Sequence, residues 1–220
     1  MTGASAFETL ADAYDAWFDA HSALYESELQ AVRAVLPEKT GAWVEIGVGT
    51  GRFASRLGME TGIEPAAAMA ELVRRRGVRV LAGTAEDVPL DDTNVQAAFL
   101  ITTLCFVRDV DRSFSEIRRM LVRGGAVVVA FLPRESPLGR SVLGEGGRDP
   151  FFREARLLST AEVLAAMTSA GFRVETIVQT LMDPEGAERV ETPFAGFDRG
   201  SFVVIRGSVP WSDMKGSTQS

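Results

Sequence analysis

The amino-acid sequence predicts an α/β fold in which helices cover both faces of a mostly parallel sheet. Short apolar segments alternate with segments of helical periodicity, the arrangement that builds a parallel sheet from strand–helix–strand units. The segment 95–101 is richly apolar, as expected of a strand that is buried on both faces. The last two apolar segments have no helix between them, so we expect the last strand to pair antiparallel.

Seven strands and five helices are expected along the chain. The strands are expected at residues 43–46, 61–64, 78–81, 95–101, 126–131, 173–180 and 201–205. The helices are expected at residues 7–36, 52–57, 66–75, 109–121 and 159–170. The last helix has clear end signals, because Ser159 and Glu162 form a capping-box pattern and Gly171 follows as a stop. The stretch 132–150 is rich in Pro and Gly and is expected to be one long loop.

Length and composition predict one domain over residues 1–211, with a helical cap over about 1–37 and a disordered polar tail over 212–220. No apolar run approaches the roughly 20 residues that cross a bilayer, and the N-terminal stretch lacks the basic start of a signal peptide. With a single cysteine, these features predict a cytoplasmic protein without a membrane partner. The formal net charge of −7 argues against a nucleic-acid partner, which would need a basic face.

The strongest chemical signal is the glycine-rich segment after the first strand. Gly47, Gly49 and Gly51 permit a tight turn in which the backbone approaches a ligand, and the following helix start offers unpaired N–H groups. Glu64 ends the second strand, 17 residues after Gly47, where a carboxylate can accept two ribose hydroxyls. The pattern predicts a cofactor site, with a purely structural turn as the alternative.

A dinucleotide site would carry a similar glycine loop. The pyrophosphate fingerprint has glycines at its first, third and sixth positions, whereas here the fifth is Gly51 and the sixth is Arg52. This spacing fits a nucleoside joined to an amino acid better than a pyrophosphate. An NAD(P)-dependent oxidoreductase would also need a hydride-site pair such as Tyr-x-x-x-Lys, and the sequence has none.

The same segment resembles motif I of the class I S-adenosylmethionine-dependent methyltransferases, and further motifs follow in the order of that family. Residues 62–65 are similar to its ribose-binding strand end, residues 83–90 to its adenine-binding loop, and residues 107–125 to the stretch before its fifth strand. The resemblance spans residues 42–131 and continues at the level of the fold to residue 206. It implies a Rossmann-like sheet of seven strands, S-adenosylmethionine as methyl donor and S-adenosylhomocysteine as product.

By this resemblance, eight positions contribute to cofactor binding: Glu45, Gly47, Gly49, Gly51, Glu64, Ala85, Glu86 and Thr102. Glu45 and the glycines shape the methionine end of the pocket, and Glu64 holds the ribose. The backbone of Ala85 and the side chain of Glu86 meet the adenine, although Glu86 has a plain alternative as a surface acid. Thr102 follows the fourth strand, at the switch point where cofactor and acceptor usually meet.

The methyl acceptor is expected to meet the N-terminal cap. In similar methyltransferases an aromatic N-terminal helix folds over the cofactor, which implies acceptor contacts for Tyr14, Trp17 and Tyr25. His21 is the only histidine and is the candidate general base, with an exposed helix histidine as the alternative. Aromatic packing is the alternative for Tyr14 and Trp17. Arg134 is the candidate for recognising an acceptor carboxylate or phosphate, or else a solvated loop charge.

The expected reaction needs little dedicated catalytic machinery. Methyl transfer is an in-line displacement from a sulfonium, so the enzyme mainly supplies proximity and orientation. Cys105 lacks the neighbouring proline of the cysteine nucleophile in cytosine-carbon methyltransferases, and it is predicted to be a buried apolar residue. No metal-ligand spacing is present, so no metal is expected.

The expected partner is a small-molecule acceptor with an oxygen, nitrogen, carbon or sulfur nucleophile, and the protein itself is expected to be a monomer or homodimer. Besides the oxidoreductase, a non-catalytic nucleoside-binding protein on the same fold remains an alternative.

Overall fold

An eight-stranded sheet runs through the protein. The computed structural model describes residues 4–144, 150–153, 155–184 and 188–211, so the expected tail at 212–220 lies outside the described residues. The strands are β1 (Trp43–Ile46), β2 (Thr61–Ile63), β3 (Arg79–Leu81), β4 (Val95–Ile101), β5 (Leu121–Phe131), β6 (Arg173–Thr180), β7 (Phe194–Ala195) and β8 (Phe202–Ser208). Their order across the sheet is β3-β2-β1-β4-β5-β8-β6-β7.

The direction of the strands confirms the predicted fold class. Strands β1 to β5 pair in parallel, whereas β8 lies antiparallel between β5 and β6. The prediction of seven strands omitted β7, which has two residues and pairs with the edge of β6. A strand of two residues is too short to show the alternation of apolar and polar residues on which strand prediction rests.

Eight α-helices are described: α1 (Ala4–Thr9), α2 (Ala11–Ala20), α3 (Ser22–Arg33), α4 (Arg52–Leu57), α5 (Ala67–Arg75), α6 (Val110–Met120), α7 (Pro137–Gly144) and α8 (Thr160–Ser169). The prediction of one helix over 7–36 was wrong, because Leu10 and His21 leave the helical backbone region with φ near −125° and −119°. The predicted helical cap of about 1–37 thus consists of three helices, and α3 packs into the core. From here on, the cap means α1 and α2 only. The predicted capping box is present, since Ser159 and Glu162 bind each other's backbone amides. None of the described helices is long and apolar enough to cross a membrane.

The stretch 132–150 is not one loop, because α7 forms within it. Pro137 is suited to a first helical position, where its fixed φ fits the helix and its missing N–H is not needed. Ser136 precedes it, and its hydroxyl oxygen accepts a hydrogen bond from the Gly139 amide at 3.0 Å. A single side-chain cap of this kind is only a weak helix signal in a sequence. The glycines of this stretch argue against a helix, so α7 was not predicted.

Two apolar layers enclose the sheet and fix the position of its carboxyl edge. Phe99 of β4 packs into the layer that α3 covers, and Phe114 of α6 packs into the opposite layer. Both side chains are fully buried. Because β1, β2 and β4 are parallel, the chain leaves all three at the same edge, where the glycine loop, Glu64 and Thr102 lie.

Candidate functional site

The glycine loop follows β1 in a turn that only glycine adopts easily. Gly47, Gly49 and Gly51 have φ of +68°, +53° and +82°, in the left-handed region. A Cβ at Gly47 would also lie 2.6 Å from Oγ1 of Thr103. That hydroxyl donates a hydrogen bond to the Ile46 carbonyl at 3.0 Å, which fastens the loop to the chain beyond β4.

Glu64 joins the glycine loop to the start of α5. Its Oε2 accepts a hydrogen bond from the Gly49 amide at 2.8 Å, and its Oε1 accepts one from the Ala66 amide at 3.0 Å. Burial raises the pKa of this carboxyl to about 7, although both amides act in the opposite direction. The group is therefore held against the loop at the end of β2, and each of its oxygens keeps a further lone pair that can accept a ligand hydroxyl.

Glu45 lies within β1, directly before the loop. It is 2% exposed, and its Oε2 has no hydrogen-bond partner among the described residues. Burial raises its pKa well above the ordinary value. A buried acceptor without a partner, next to a loop of left-handed glycines, fits a ligand that brings its own donor, such as an amino group.

Thr102 ends β4 in a strained conformation. Its φ is +53°, which is rare for a β-branched residue and costs free energy. Its amide donates to the Ala130 carbonyl at 2.8 Å, and its hydroxyl donates to the Ile101 carbonyl at 2.8 Å. Its side chain is also close enough to the Tyr14 hydroxyl of the cap to lower the pKa of that group, against the larger effect of burial. Sheet and cap therefore meet at Thr102.

The turn after β3 contains Ala85 and Glu86. Ala85 is 5% exposed, inside the turn that Thr84 and Asp87 close. The Glu86 carboxylate accepts a hydrogen bond from the Arg108 amide at 2.8 Å, near the start of α6. This contact gives Glu86 a structural role, and the expected contact of its side chain with adenine stays a prediction.

The cap covers the glycine loop with aromatic rings. A Cβ at Gly49 would lie 3.8 Å from Cε1 of Tyr14, so this ring lies directly above the loop. Tyr14 contacts Phe7 edge-on, at 5.7 Å between ring centroids, and Phe151 at 5.0 Å. Burial raises the pKa of the Tyr14 hydroxyl, which stays neutral. Phe106 completes this aromatic wall at 5.1 Å from Phe7.

Three candidate acceptor residues make other contacts. His21 is exposed and stacks on Trp17 at 4.3 Å, with its Nδ1 at 2.9 Å from the Trp17 carbonyl. Arg134 forms an ion pair with Glu162 at 3.1 Å, at the start of α8. In the described part of the chain, His21, Trp17 and Arg134 make no contact with the glycine loop. Tyr25 donates a hydrogen bond to the Arg52 carbonyl at 2.9 Å and so supports the helix after the loop.

A charged network that sequence reasoning missed fastens the cap. Arg52 binds both oxygens of Asp15, at 2.9 and 3.0 Å, and both of Asp19, at 2.7 Å each. Arg76 binds Asp15 at 2.8 Å and the Thr50 carbonyl at 3.0 Å. Burial alone would raise the pKa of Asp15, but hydrogen bonds from its partners lower it to about 2. The signal in the sequence was the spacing of two acids by four, which places both on one helix face.

Two further acids were missed. Glu8 of α1 accepts hydrogen bonds from the Ala67 and Ala68 amides at 2.6 and 3.1 Å, and so caps α5. Glu28 of α3 is 6% exposed, and burial raises its pKa to about 8. Cys105 is buried as predicted, and burial raises its thiol pKa to about 12.

Comparisons with known proteins agree with this geometry. The family described as "Methyltransferase domain" matches residues 44–129. An uncharacterized protein of Methanocaldococcus jannaschii is 32% identical over 200 residues, covering 90% of this chain and 96% of that protein. A crystal structure from Thermotoga maritima is 44% identical, covers 94% of this chain and 99% of that one, and superimposes with a TM-score of 0.89. That protein is an S-adenosylmethionine-dependent methyltransferase, described as a possible histamine N-methyltransferase.

A more distant structure shares the fold. The geranyl diphosphate C-methyltransferase of Streptomyces coelicolor, in complex with Mg²⁺, geranyl diphosphate and S-adenosylhomocysteine, is 22% identical with a TM-score of 0.62. The match covers 84% of this chain and 77% of that one.

Proposed function

The chain belongs to the S-adenosylmethionine-dependent methyltransferases, and from this premise we propose that it methylates a small-molecule acceptor bound beneath the cap. It is an enzyme whose methyl donor is S-adenosylmethionine. The observation that carries the proposal is the arrangement of Glu64, whose two oxygens lie at the glycine loop and at the start of α5.

The described residues fit this cofactor. We propose that Gly47, Gly49 and Gly51 form the floor under its amino-acid part, while Glu45 accepts from its amino group. Glu64 accepts the two ribose hydroxyls. The fit rests on two features, the unpartnered Oε2 of Glu45 and the glycine loop that added Cβ atoms would strain.

The adenine end and the switch point complete the proposed cofactor site. The Ala85 backbone and Glu86 border the adenine, and Thr102 lies between cofactor and acceptor. Thr102 supports this role through its strained backbone and its contact with the cap, since such strain clusters at functional sites.

The acceptor is proposed to lie among the aromatic rings of the cap. Tyr14 and its neighbours Phe7, Phe106 and Phe151 offer flat apolar surfaces that exclude water. Two similar proteins, a possible histamine N-methyltransferase and a geranyl diphosphate C-methyltransferase, are named after small-molecule acceptors, which supports a small acceptor here.

The residues of the chain act mainly by placing the acceptor. The bound cofactor supplies a methyl group on a positively charged sulfur, which an acceptor lone pair attacks in line. Tyr14 and Thr102 fix the direction of approach, and the cap keeps water from competing with the acceptor. Acceptor contacts of Trp17, Tyr25 and Arg134, and a base role for His21, stay predictions.

Several wider expectations also stay predictions. They are a single domain over residues 1–211, a metal-free reaction, a cytoplasmic location, the absence of nucleic-acid and membrane partners, and a monomer or homodimer.

Calorimetric titration tests the cofactor site directly. We expect S-adenosylmethionine and S-adenosylhomocysteine to bind saturably, with NADH as the negative control. Glu64→Ala removes both acceptor oxygens and is expected to weaken binding about 10- to 100-fold. Glu71→Ala, an exposed acid on α5, is the matched control and should bind like the wild type. Unchanged affinity of Glu64→Ala would remove Glu64 from the ribose role.

A further inference from the structure

Glu28 is a carboxyl group buried without a partner. It lies on α3, whose inner face packs Tyr25, Leu29 and Val32 into the apolar layer under the sheet. In the described part of the chain, no hydrogen bond or ion pair reaches its carboxyl group, and burial alone raises its pKa. A carboxyl group that has lost most of its contact with water and has no protein partner costs free energy of folding, which a ligand with a charged donor would recover.

Glu28 lies on the same side of the site as Tyr14. Its charge is close enough to the Tyr14 hydroxyl to raise the pKa of that group, and the Thr102 side chain at the switch point acts on the same hydroxyl. The neighbouring residue Ser27 accepts a hydrogen bond from the Glu191 amide at 2.8 Å, so this turn of α3 also contacts the segment after β6. This turn of α3 therefore lies between Tyr14 of the cap and the segment after β6.

The nearby cations of the chain are already paired with other acids. Arg52 and Arg76 bind Asp15, and Arg56 binds Glu26 on the exposed face of α3. A buried carboxylate near the Tyr14 ring suits a protonated amine, because the acid meets the charge and the aromatic wall meets the carbon skeleton.

We propose that Glu28 binds the acceptor and selects a primary or secondary amine on an apolar, ring-sized skeleton, a proposal that rests on the function proposed above. The ammonium group of the acceptor pairs with the Glu28 carboxylate, and its skeleton lies against Tyr14 and the aromatic wall. The amide oxygen of a glutamine at this position would keep the shape but not the charge.

Glu28 also prepares the attacking nitrogen. It takes one proton from the ammonium group, which leaves a neutral amine with a free lone pair. That lone pair forms the new N–C bond to the methyl group while the S–C bond breaks and its electron pair goes to sulfur. The products are the methylated ammonium ion, S-adenosylhomocysteine and the proton on Glu28, which passes to water when the products leave, so charge and atoms balance without any further reactant.

Binding of an ammonium ion at this site is expected to release a proton from the protein. Because the pKa of Glu28 is about 8 in the free protein, the group is mostly protonated at pH 7 and must lose its proton to pair with the ligand. Tyr14 and Cys105 stay neutral at this pH, and Glu64, with a pKa of about 7, lies on the cofactor side. Saturation with S-adenosylhomocysteine before the titration fixes the state of Glu64.

The test is calorimetry on the complex with S-adenosylhomocysteine. The probes are 2-phenylethylamine, histamine and hexylamine, with 2-phenylethanol and 1-hexanol as neutral controls of similar shape. We expect at least one amine to bind wild-type protein about 10- to 100-fold more tightly than the alcohols, with heats that depend on the ionisation enthalpy of the buffer. The bound amine should also be methylated when S-adenosylmethionine replaces the product.

Two variants separate charge from structure. Glu28→Gln is expected to abolish both the amine preference and the buffer dependence, while its affinity for S-adenosylhomocysteine stays unchanged and shows that the protein is folded. The control Glu26→Gln, which changes a partly exposed acid on the same helix, should keep both.

Several results would overturn the proposal about Glu28. They are equal binding of amines and alcohols by the wild type, no binding of any amine to the complex, or an amine preference that survives in Glu28→Gln. In each case the cofactor still binds, so the methyltransferase function stands. If S-adenosylmethionine and its product do not bind at all, the cofactor site itself is wrong.

Discussion

Two bulky residues at the carboxyl edge of the sheet have backbone angles that glycine normally adopts. Thr102 follows β4 with φ of +53°, and Leu181 follows β6 with φ of +57°. Each such conformation costs about 1–2 kcal/mol for a residue with a side chain. The chain tolerates this cost at the same edge that holds the glycine loop and Glu64, which is where a ligand needs an exact backbone path.

Gly47 is expected to be the least replaceable glycine of the loop. Gly47→Ala adds left-handed strain and also drives a methyl group against Thr103, whereas Gly77→Ala has the same strain at φ of +75° with open space around it. Gly77→Ala should lower the free energy of unfolding by about 1 kcal/mol and leave cofactor binding intact. Gly47→Ala should lower it by more and weaken cofactor binding severely. Denaturant unfolding and calorimetry of both variants check this, and equal losses would contradict it.

At the scale of single residues, the sequence predicts roles that depend on neighbouring residues and misses roles that depend on distant segments. The glycine loop and Glu64 are visible because strand, turn and acid follow each other within one segment. Glu28 is not, because a glutamate is normally taken as exposed, although its spacing of four from Leu24 and Val32 places it on the apolar face of α3. Its burial depends on elements that are far away in the chain, among them β6 and β8, which α3 contacts.

Among the elements, the cap depends on polar contacts to the core. Asp15 on α2 binds Arg52 and Arg76, and Glu8 on α1 caps α5. Arg52 begins α4 directly after the glycine loop, so the element that closes the site is attached to the element that forms its floor. Loosening the cap is therefore expected to affect the cofactor site before it affects the rest of the fold.

Asp15→Asn is expected to loosen the cap. It leaves Arg52 with Asp19 alone and removes the charge that binds Arg76. We expect S-adenosylhomocysteine to dissociate roughly 5- to 30-fold faster, since a partly buried charged hydrogen bond contributes about 1–2 kcal/mol. The control variant Asp12→Asn changes an acid on the same helix that lies outside this network. Its complex with S-adenosylhomocysteine should dissociate at the wild-type rate. Stopped-flow displacement measures both dissociation rates. Equal rates for the two variants would show that the network does not hold the cap in place.

The elements that sequence predicted poorly are those without a periodic pattern of their own. Strands β1 and β4 were predicted to the residue, because each is a mostly apolar run bounded by turns. The breaks at Leu10 and His21 have no Pro or Gly to mark them, and α7 is hidden by glycines. In each case contacts with other elements decide the backbone, which propensity within one segment does not capture.

For the whole molecule, buried acids set the dependence of stability on pH. Glu28 and Glu64 have folded pKa values of about 8 and about 7, and the pKa of Glu45 is raised well above the ordinary 4.5. Between about pH 4.5 and 8 the folded protein therefore binds more protons than the unfolded chain. Its free energy of unfolding should fall as pH rises through this range, by at most about 1.4 kcal/mol per pH unit for each group.

Denaturant unfolding at pH 5.5, 7 and 8.5 checks this slope. Asp15 acts in a different window, because its pKa of about 2 gives stability that is lost only as pH falls below about 4. Stability should thus be greatest near pH 5, and Glu28→Gln should flatten the fall above it. A free energy of unfolding that increases from pH 5.5 to 8.5 would show that these carboxyls are ionised in the folded protein.

The position of Tyr14 above Gly49 also determines the sequence of events in a catalytic cycle. A cofactor seated on the glycine loop has Tyr14, and with it α2, overhead, so it cannot be exchanged while the aromatic wall is in place. We therefore expect an ordered mechanism in which the donor enters first and the spent nucleoside leaves last. We also expect displacement of α2 to limit turnover and the spent nucleoside to inhibit by occupying the closed enzyme.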